Sequence, residues 1–221
     1  MGKKTHPAAV RIDINGWQNS VWFAKGKSFV DGIKEDYIIR QIAYSFYESG
    51  IVCNVTIERS AGSVVVSLHT HRPGILIGEK GANIESLRKK ILEKSGVNTK
   101  INVIEVYRPE ANAQFICDQI VKQLIGRADY KRTAKSCVKF AMKSPIVKGI
   151  SVIISGRLGG ASIARIERFR QGSVSLQTFR DKIVYCKKSA KTIFGICGVK
   201  VFISYNTNFY FSGGGKDVNV S

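Results

Sequence analysis

Apolar residues recur along this chain in two rhythms. Between Glu35 and Ser49, the residues Ile38, Ile39, Ile42, Phe46 and Tyr47 fall at helical spacing, and Gly50 supplies a stop. Ile51–Glu58 and Ser63–Thr70 are rich in β-branched residues and predict two strands about a turn at Ala61-Gly62. Ile84, Leu87, Ile91 and Leu92 line one face of a further helix, with Gly96 just beyond it, and Ile101–Tyr107 returns to a strand pattern. The first module therefore reads α-β-β-(GEKG)-α-β. Its short apolar run Gly74-Ile75-Leu76-Ile77 fits either helix or strand by period, although Pro73 could open a short helix there.

Arg108-Pro109 marks a boundary, because the residue before proline leaves the helical region and proline suits a first helical turn. Two helices follow, about 110–126 and 129–144, split at Gly126. From Gly149 onward Val, Ile, Phe and Tyr dominate, and Ile150–Ser155, Ser162–Arg170, Lys182–Lys187 and Val199–Tyr205 are the predicted strands. The fold class expected is α+β. Residues 1–33 form a basic arm and anchor carrying Trp17, Trp22 and Phe23; 34–107 form a first domain and 108–206 an α/β second domain; 207–221 form a mobile tail. No repeat of 20–50 residues is visible.

Composition narrows the function. The 221 residues are 44% hydrophobic, enough for real cores, and no apolar run approaches a membrane span. The 35 Lys and Arg against 16 Asp and Glu give a net charge of +19, which points to a polyanionic partner, nucleic acid or an anionic membrane. Cys53, Cys117, Cys137, Cys186 and Cys197 are widely spaced and read as small buried residues in a reducing compartment, not as zinc ligands. His69 and His71 share a strand face without further ligands, so no metal site is expected. MGKKTHP lacks the apolar core of a secretion signal and the myristoylation pattern.

The chain holds three GxxG stretches, at Gly78–Gly81, Gly156–Gly159 and Gly195–Gly198. Only the first runs directly into an amphipathic basic helix. Glycines there let the backbone turn sharply and approach a sugar-phosphate chain. The free N–H groups opening the helix favour phosphate, Lys80 adds charge at the tip, and Arg88, Lys89, Lys90 and Lys94 extend the field. That is the chemistry of a KH module gripping single-stranded RNA. The other two stretches read as turns. The Walker pattern is absent, which leaves nucleotide hydrolysis without support.

A second basic surface lies in DYKRTAKSCVKFAMKS, residues 129–144. Lys131, Arg132, Lys135, Lys139 and Lys143 fall on one side of a helical wheel, with Tyr130, Ala134, Cys137, Phe140 and Ala141 mostly on the other. Five cations with no acid among them repel one another, a cost that RNA phosphates would offset. In SGRLGGASIARIERFRQGSVSL, residues 155–176, Arg157, Arg165, Arg168 and Arg170 could meet RNA or protein. Asp118, Asp129, Glu167 and Asp181 show no metal-type spacing, which disfavours an enzyme acting on nucleic acid; a free KH-type RNA chaperone is the stronger alternative.

MGKKTHP at the start, WFA at 22–24, HTHRPGILIGEKG at 69–81, SGRLGGASIAR at 155–165 and FGICGVKV at 194–201 occur in order along nearly the whole chain. This set resembles the ribosomal protein S-three family of the small subunit, in its bacterial or organellar form. The resemblance implies a type II KH domain followed by a C-terminal α/β domain, with no catalytic role and no cofactor. It implies a place in the head of the small subunit of a bacterial cytoplasmic or organellar ribosome. Small-subunit rRNA would be the partner there, near proteins S-ten and S-fourteen, with part of the chain lining the channel by which mRNA enters, beside S-four and S-five. By position, Lys131, Arg132 and Lys135 match the residues that hold and help unwind incoming mRNA. Gly78, Lys80, Gly81, Arg88 and Lys89 are the expected KH contacts, and Lys3, Lys4, Lys139, Arg157, Arg165 and Arg168 are expected to meet RNA or protein.

Overall fold

The computed structural model describes residues 4–15, 19–47, 50–60 and 63–206. They form two compact units, Gln18–Tyr107 on one hand and Arg108 onward with the N-terminal segment on the other. The chain thus starts in one unit, builds the other, and returns. Helices and sheets are both present in each unit, an α+β architecture.

In the first unit, short strand β1 (Ser20–Val21) leads into helix α2 (Lys27–Phe46), after α1 (Ile12–Asn15) of the N-terminal segment. Strands β2 (Val52–Ser60) and β3 (Ser63–Thr70) follow, then α3 (Pro73–Ile77), α4 (Ala82–Ser95) and β4 (Thr99–Glu105). The sheet order is β1-β2-β3-β4, with β2 and β3 antiparallel and β4 parallel to β3. One sheet face carries Val55, Ile57, Val64, Val66 and Leu68, which pack against Ile39, Ile42, Leu76, Leu87 and Ile91. Each such side chain contributes about 1.5–3 kcal/mol by leaving water.

Three expectations are corrected here. Helix α2 begins at Lys27, not near Glu35, because Gly32 leaves room for the Trp22 ring: a Cβ on Gly32 would meet Trp22 at 2.8 Å. The Trp22 indole N–H donates to Asp36 Oδ2 at 2.9 Å, and Asp36 and Glu35 hold Arg59 at 2.6 Å each. Residues 1–33 are therefore not a single arm. Residues 4–15 belong with the second unit, while 19–33 are built into the first. Leu92 departs from its predicted buried face and stays 48% exposed. Trp17, the turn at 61–62 and the tail 207–221 lie outside the described residues.

In the second unit, α5 (Ala113–Ile125) and α6 (Tyr130–Ala141) precede β5 (Val147–Gly156), β6 (Arg165–Gly172), β7 (Ile183–Thr192) and β8 (Gly195–Tyr205). The sheet order is β6-β5-β8-β7, antiparallel throughout. Ile150, Val152, Ile154, Val199, Val201 and Ile203 face the helices and pack on Ile116, Ile120, Ala134 and Cys137. All five cysteines are buried. Strand β6 starts three residues later than predicted, because Arg165 already pairs with Gly156, the last residue of β5, and residues 162–164 lie beyond the partner strand. Strand β7 runs past Lys187 to Thr192, since only one of its faces is apolar and its other face carries Lys187, Ser189 and Lys191.

Arg11 fastens the N-terminal segment. The residue is 2% exposed, and its guanidinium donates to the carbonyls of Asp181 (3.0 Å), Pro7 (2.8 Å), Leu176 (2.9 Å) and Thr178 (3.1 Å).

Candidate nucleic-acid interface

The GEKG stretch is a joint between two helices. Pro73 opens α3, and the Gly78 N–H closes it by donating to Gly74 O at 2.9 Å. The chain then turns through positive φ at Gly78 (70°), Lys80 (51°) and Gly81 (84°) before α4 begins at Ala82. With φ 70° and ψ −178°, Gly78 sits in a region open essentially to glycine alone. The Asn83 side chain lies directly beneath it and donates to Ile75 O at 3.0 Å. The result is a shallow concavity lined by Gly74, Ile75, Gly78, Glu79, Ala82 and Asn83.

The exposed Lys80 sits at the tip. Ile75 and Ile77, 45% and 39% exposed, form an apolar wall on α3. A strand with phosphates on the loop and bases on that wall satisfies both surfaces. Gly78, Lys80 and Gly81 are brought together as the sequence predicts. Arg88 lies two turns along α4, where it donates to Asn98 Oδ1 at 2.8 Å, and Lys89 projects opposite the buried Leu87–Ile91 face. Asn83 carried no signal in the sequence beyond its place two residues after Gly81.

Helix α6 is capped by Asp129, whose carboxylate accepts from the N–H groups of Lys131 and Arg132 at 3.3 Å each. The Tyr130 hydroxyl donates to Glu167 Oε1 on β6 at 2.8 Å, and this bond to the carboxylate raises the pKa of the phenol. Thr133, Ala134, Cys137, Val138 and Ala141 are buried; Lys131, Arg132, Lys135, Lys139 and Lys143 are exposed. Among the described residues no ion pair engages any of these five cations.

The unit's carboxylates explain that surplus. Asp118 pairs with Lys188, with burial raising its pKa and Lys188 opposing the rise. Asp181 accepts from Ser175 and faces Lys148 at 3.3 Å. Asp129 caps α6 and Glu167 holds Tyr130. The four acids noted in the sequence are thus separately engaged and build no common centre.

The remaining predicted residues are not gathered. Arg157 braces its own loop, donating to Ala161 O at 2.9 Å and Phe194 O at 3.2 Å. Arg165 opens β6 opposite Gly156, on the helix side with Glu167, whereas Arg168 points to the other sheet face. Lys4 is exposed beside β7; Lys3 lies outside the described residues.

A family model described as "KH domain" matches residues 38–111, which hold α2 from its second half, β2 and β3, the glycine joint, α4 and β4. A second, described as "Ribosomal protein S3, C-terminal domain", matches residues 120–203, from the end of α5 nearly to the end of β8. With a KH domain followed by that C-terminal domain in one basic chain, the protein belongs to the ribosomal protein S3 family and is an RNA-binding ribosomal protein of the small subunit.

Proposed function

We propose that the protein is a structural constituent of the small-subunit head, in a bacterial or organellar ribosome. In this reading it anchors to rRNA and lines the channel by which mRNA enters, near S-ten and S-fourteen and beside S-four and S-five. Residues 34–107 act as the RNA-gripping domain and 108–206 as the domain facing the message. The observation that carries the channel reading is α6: four exposed cations on 12 residues, anchored by a capped start and a buried back, without an ion-pair partner among the described residues. Such a face holds an RNA backbone by charge while leaving it free to slide, because Lys and Arg bind phosphates without reading bases. Lys131, Arg132 and Lys135 carry this contact; Gly78, Lys80 and Gly81 carry the KH contact.

Two variants test the reading in reconstituted ribosomes. Changing Lys131, Arg132 and Lys135 together to Ala leaves the buried face of α6 intact and slows translation through structured messages more than through unstructured ones. Equal speed on both removes the channel role. Gly81→Asp adds a negative charge where a Cβ meets nothing within 4 Å, so it weakens RNA engagement with little steric damage. Unchanged particle occupancy and translation refute the loop's role. A free RNA chaperone would sediment apart from ribosomal particles.

A further inference from the structure

The register of the C-terminal sheet assembles a cationic row on the face turned away from α5 and α6. Lys187 on β7 stands directly opposite Lys200 on β8; Lys200 stands opposite Ile153 on β5, which stands opposite Arg168 on edge strand β6. Directly paired residues share a face, so the three cations lie along one line across the sheet. Arg170 lies in the next row, with Ser151, Phe202 and Tyr185 across from it in turn. Lys191 lies four residues beyond Lys187 on the same face, with Ser189 between them. None of the paired positions of this face is a carboxylate. Like charges facing each other across strands cost stability, so the row is built for an external polyanion.

The N-terminal segment closes one side. His6 sits edge-on to Tyr185 with ring centroids 4.9 Å apart, and a cleft of about 720 Å³ between that segment and the sheet is bordered by Lys4, Lys187, Lys200, Tyr185 and Phe179. Cations beside aromatic rings are the components that hold backbone phosphates and stack an unpaired base.

We infer that this open sheet face, with Lys187, Lys200 and Arg168 as its phosphate contacts, is the rRNA-anchoring surface of the C-terminal unit, distinct from the α6 face on the opposite side of the same sheet. The assignment rests on the proposed ribosomal role and divides its labour: the sheet holds fixed rRNA, and the helix stays free for passing mRNA.

The test uses the full-length chain and a small-subunit rRNA transcript, with affinity measured from 50 to 200 mM salt. The variant Arg168→Ala/Lys187→Ala/Lys200→Ala should bind about tenfold more weakly at the low-salt end. Its plot of log affinity against log salt should be shallower by about 2, the share of three phosphate contacts. Lys187→Arg/Lys200→Arg should retain affinity, and a melting curve matching the parent establishes that the fold is intact. Unchanged affinity and slope in the triple Ala variant overturn the sheet assignment alone, because the parent chain still binds. Unchanged RNA affinity with loss of particle association gives the face to a protein partner and overturns it likewise. A parent chain that does not bind the transcript removes the proposed ribosomal role and this inference with it.

Discussion

Gly78→Ala is the sharpest single test of the KH joint. At φ 70° and ψ −178°, an alanine is held in a glycine-only region, at a cost of about 1–3 kcal/mol. Its Cβ would also meet Asn83 Cγ and Nδ2 at 2.6 Å, so the Asn83 side chain must swing away and release Ile75 O, costing about 1 kcal/mol more. The total is about 3 kcal/mol. Gly81→Ala is the control: φ is 84°, but nothing lies within 4 Å of the added atom, leaving about 1 kcal/mol of backbone strain. The gap of about 2 kcal/mol is roughly thirtyfold in the unfolding equilibrium. Urea unfolding in a Trp17→Phe background reads it, since Trp22 packs on Gly32 and bonds Asp36 within this unit. Asn83→Ala alone should cost about 1 kcal/mol, and combined with Gly78→Ala the two should cost less than their sum, because the steric conflict is gone. Equal destabilisation by Gly78→Ala and Gly81→Ala, or strict additivity in the double variant, would refute the account of Asn83 as the floor of the joint.

Arg11→Ala should destabilise the second unit by about 3–5 kcal/mol and expose residues 4–15 to limited proteolysis, because four carbonyls lose their donor. Arg11→Lys should not rescue it, since one ammonium cannot span four acceptors; full rescue in a thermal melt would contradict the fastening role. Asp181 sits below the ordinary carboxylate pKa because Ser175 donates to it and Lys148 lies close, with burial opposing. A lowered carboxyl stabilises the fold above its unfolded pKa, near 3.8, and that contribution is lost as pH falls through the folded value. Asp181→Asn should therefore cost about 1 kcal/mol at neutral pH and give a flatter stability profile below about pH 4; an unaltered acid limb would dismiss the ion pair as a source of acid sensitivity.

How much of this was legible in the sequence depended on whether one face of an element differs from the other. Helix α6 was readable because its cations and small apolar residues separate cleanly, and the structure buries Ala134, Cys137 and Ala141 as the wheel requires. Strand β3 was readable to the residue because valine and leucine repeat along it. The second half of β7 was not, since Lys187, Lys188, Ser189 and Lys191 resemble a loop until Asp118 takes up Lys188 on the buried side. The start of α2 was hidden for a related reason: Gly32 looks like a break, and only its partner Trp22, ten residues earlier, makes it a packing site. Arg11 gave no local sign, because every carbonyl it serves except that of Pro7 is more than 160 residues away. The glycine joint lay between these cases. Its glycines were evident, whereas the dependence of Gly78 on Asn83 is a three-dimensional fact.

The engaged acids and the unengaged cations also separate stability from binding. In the C-terminal unit Asp118 and Asp181 hold Lys188 and Lys148 with side chains only 3% and 10% exposed on the acid side, where salt screens weakly. Lys131, Arg132, Lys135, Lys187 and Lys191 are all exposed, where salt acts fully. Raising the salt should therefore loosen RNA long before it loosens the fold, and by lowering repulsion among the cations it should leave the RNA-free chain as stable or more so. A protein that used its acids to neutralise its own surface would lose that separation. Here Asp129, Glu167, Asp118 and Asp181 act in capping, tethering and buried pairing, and the surface of that unit is left positive for the RNA.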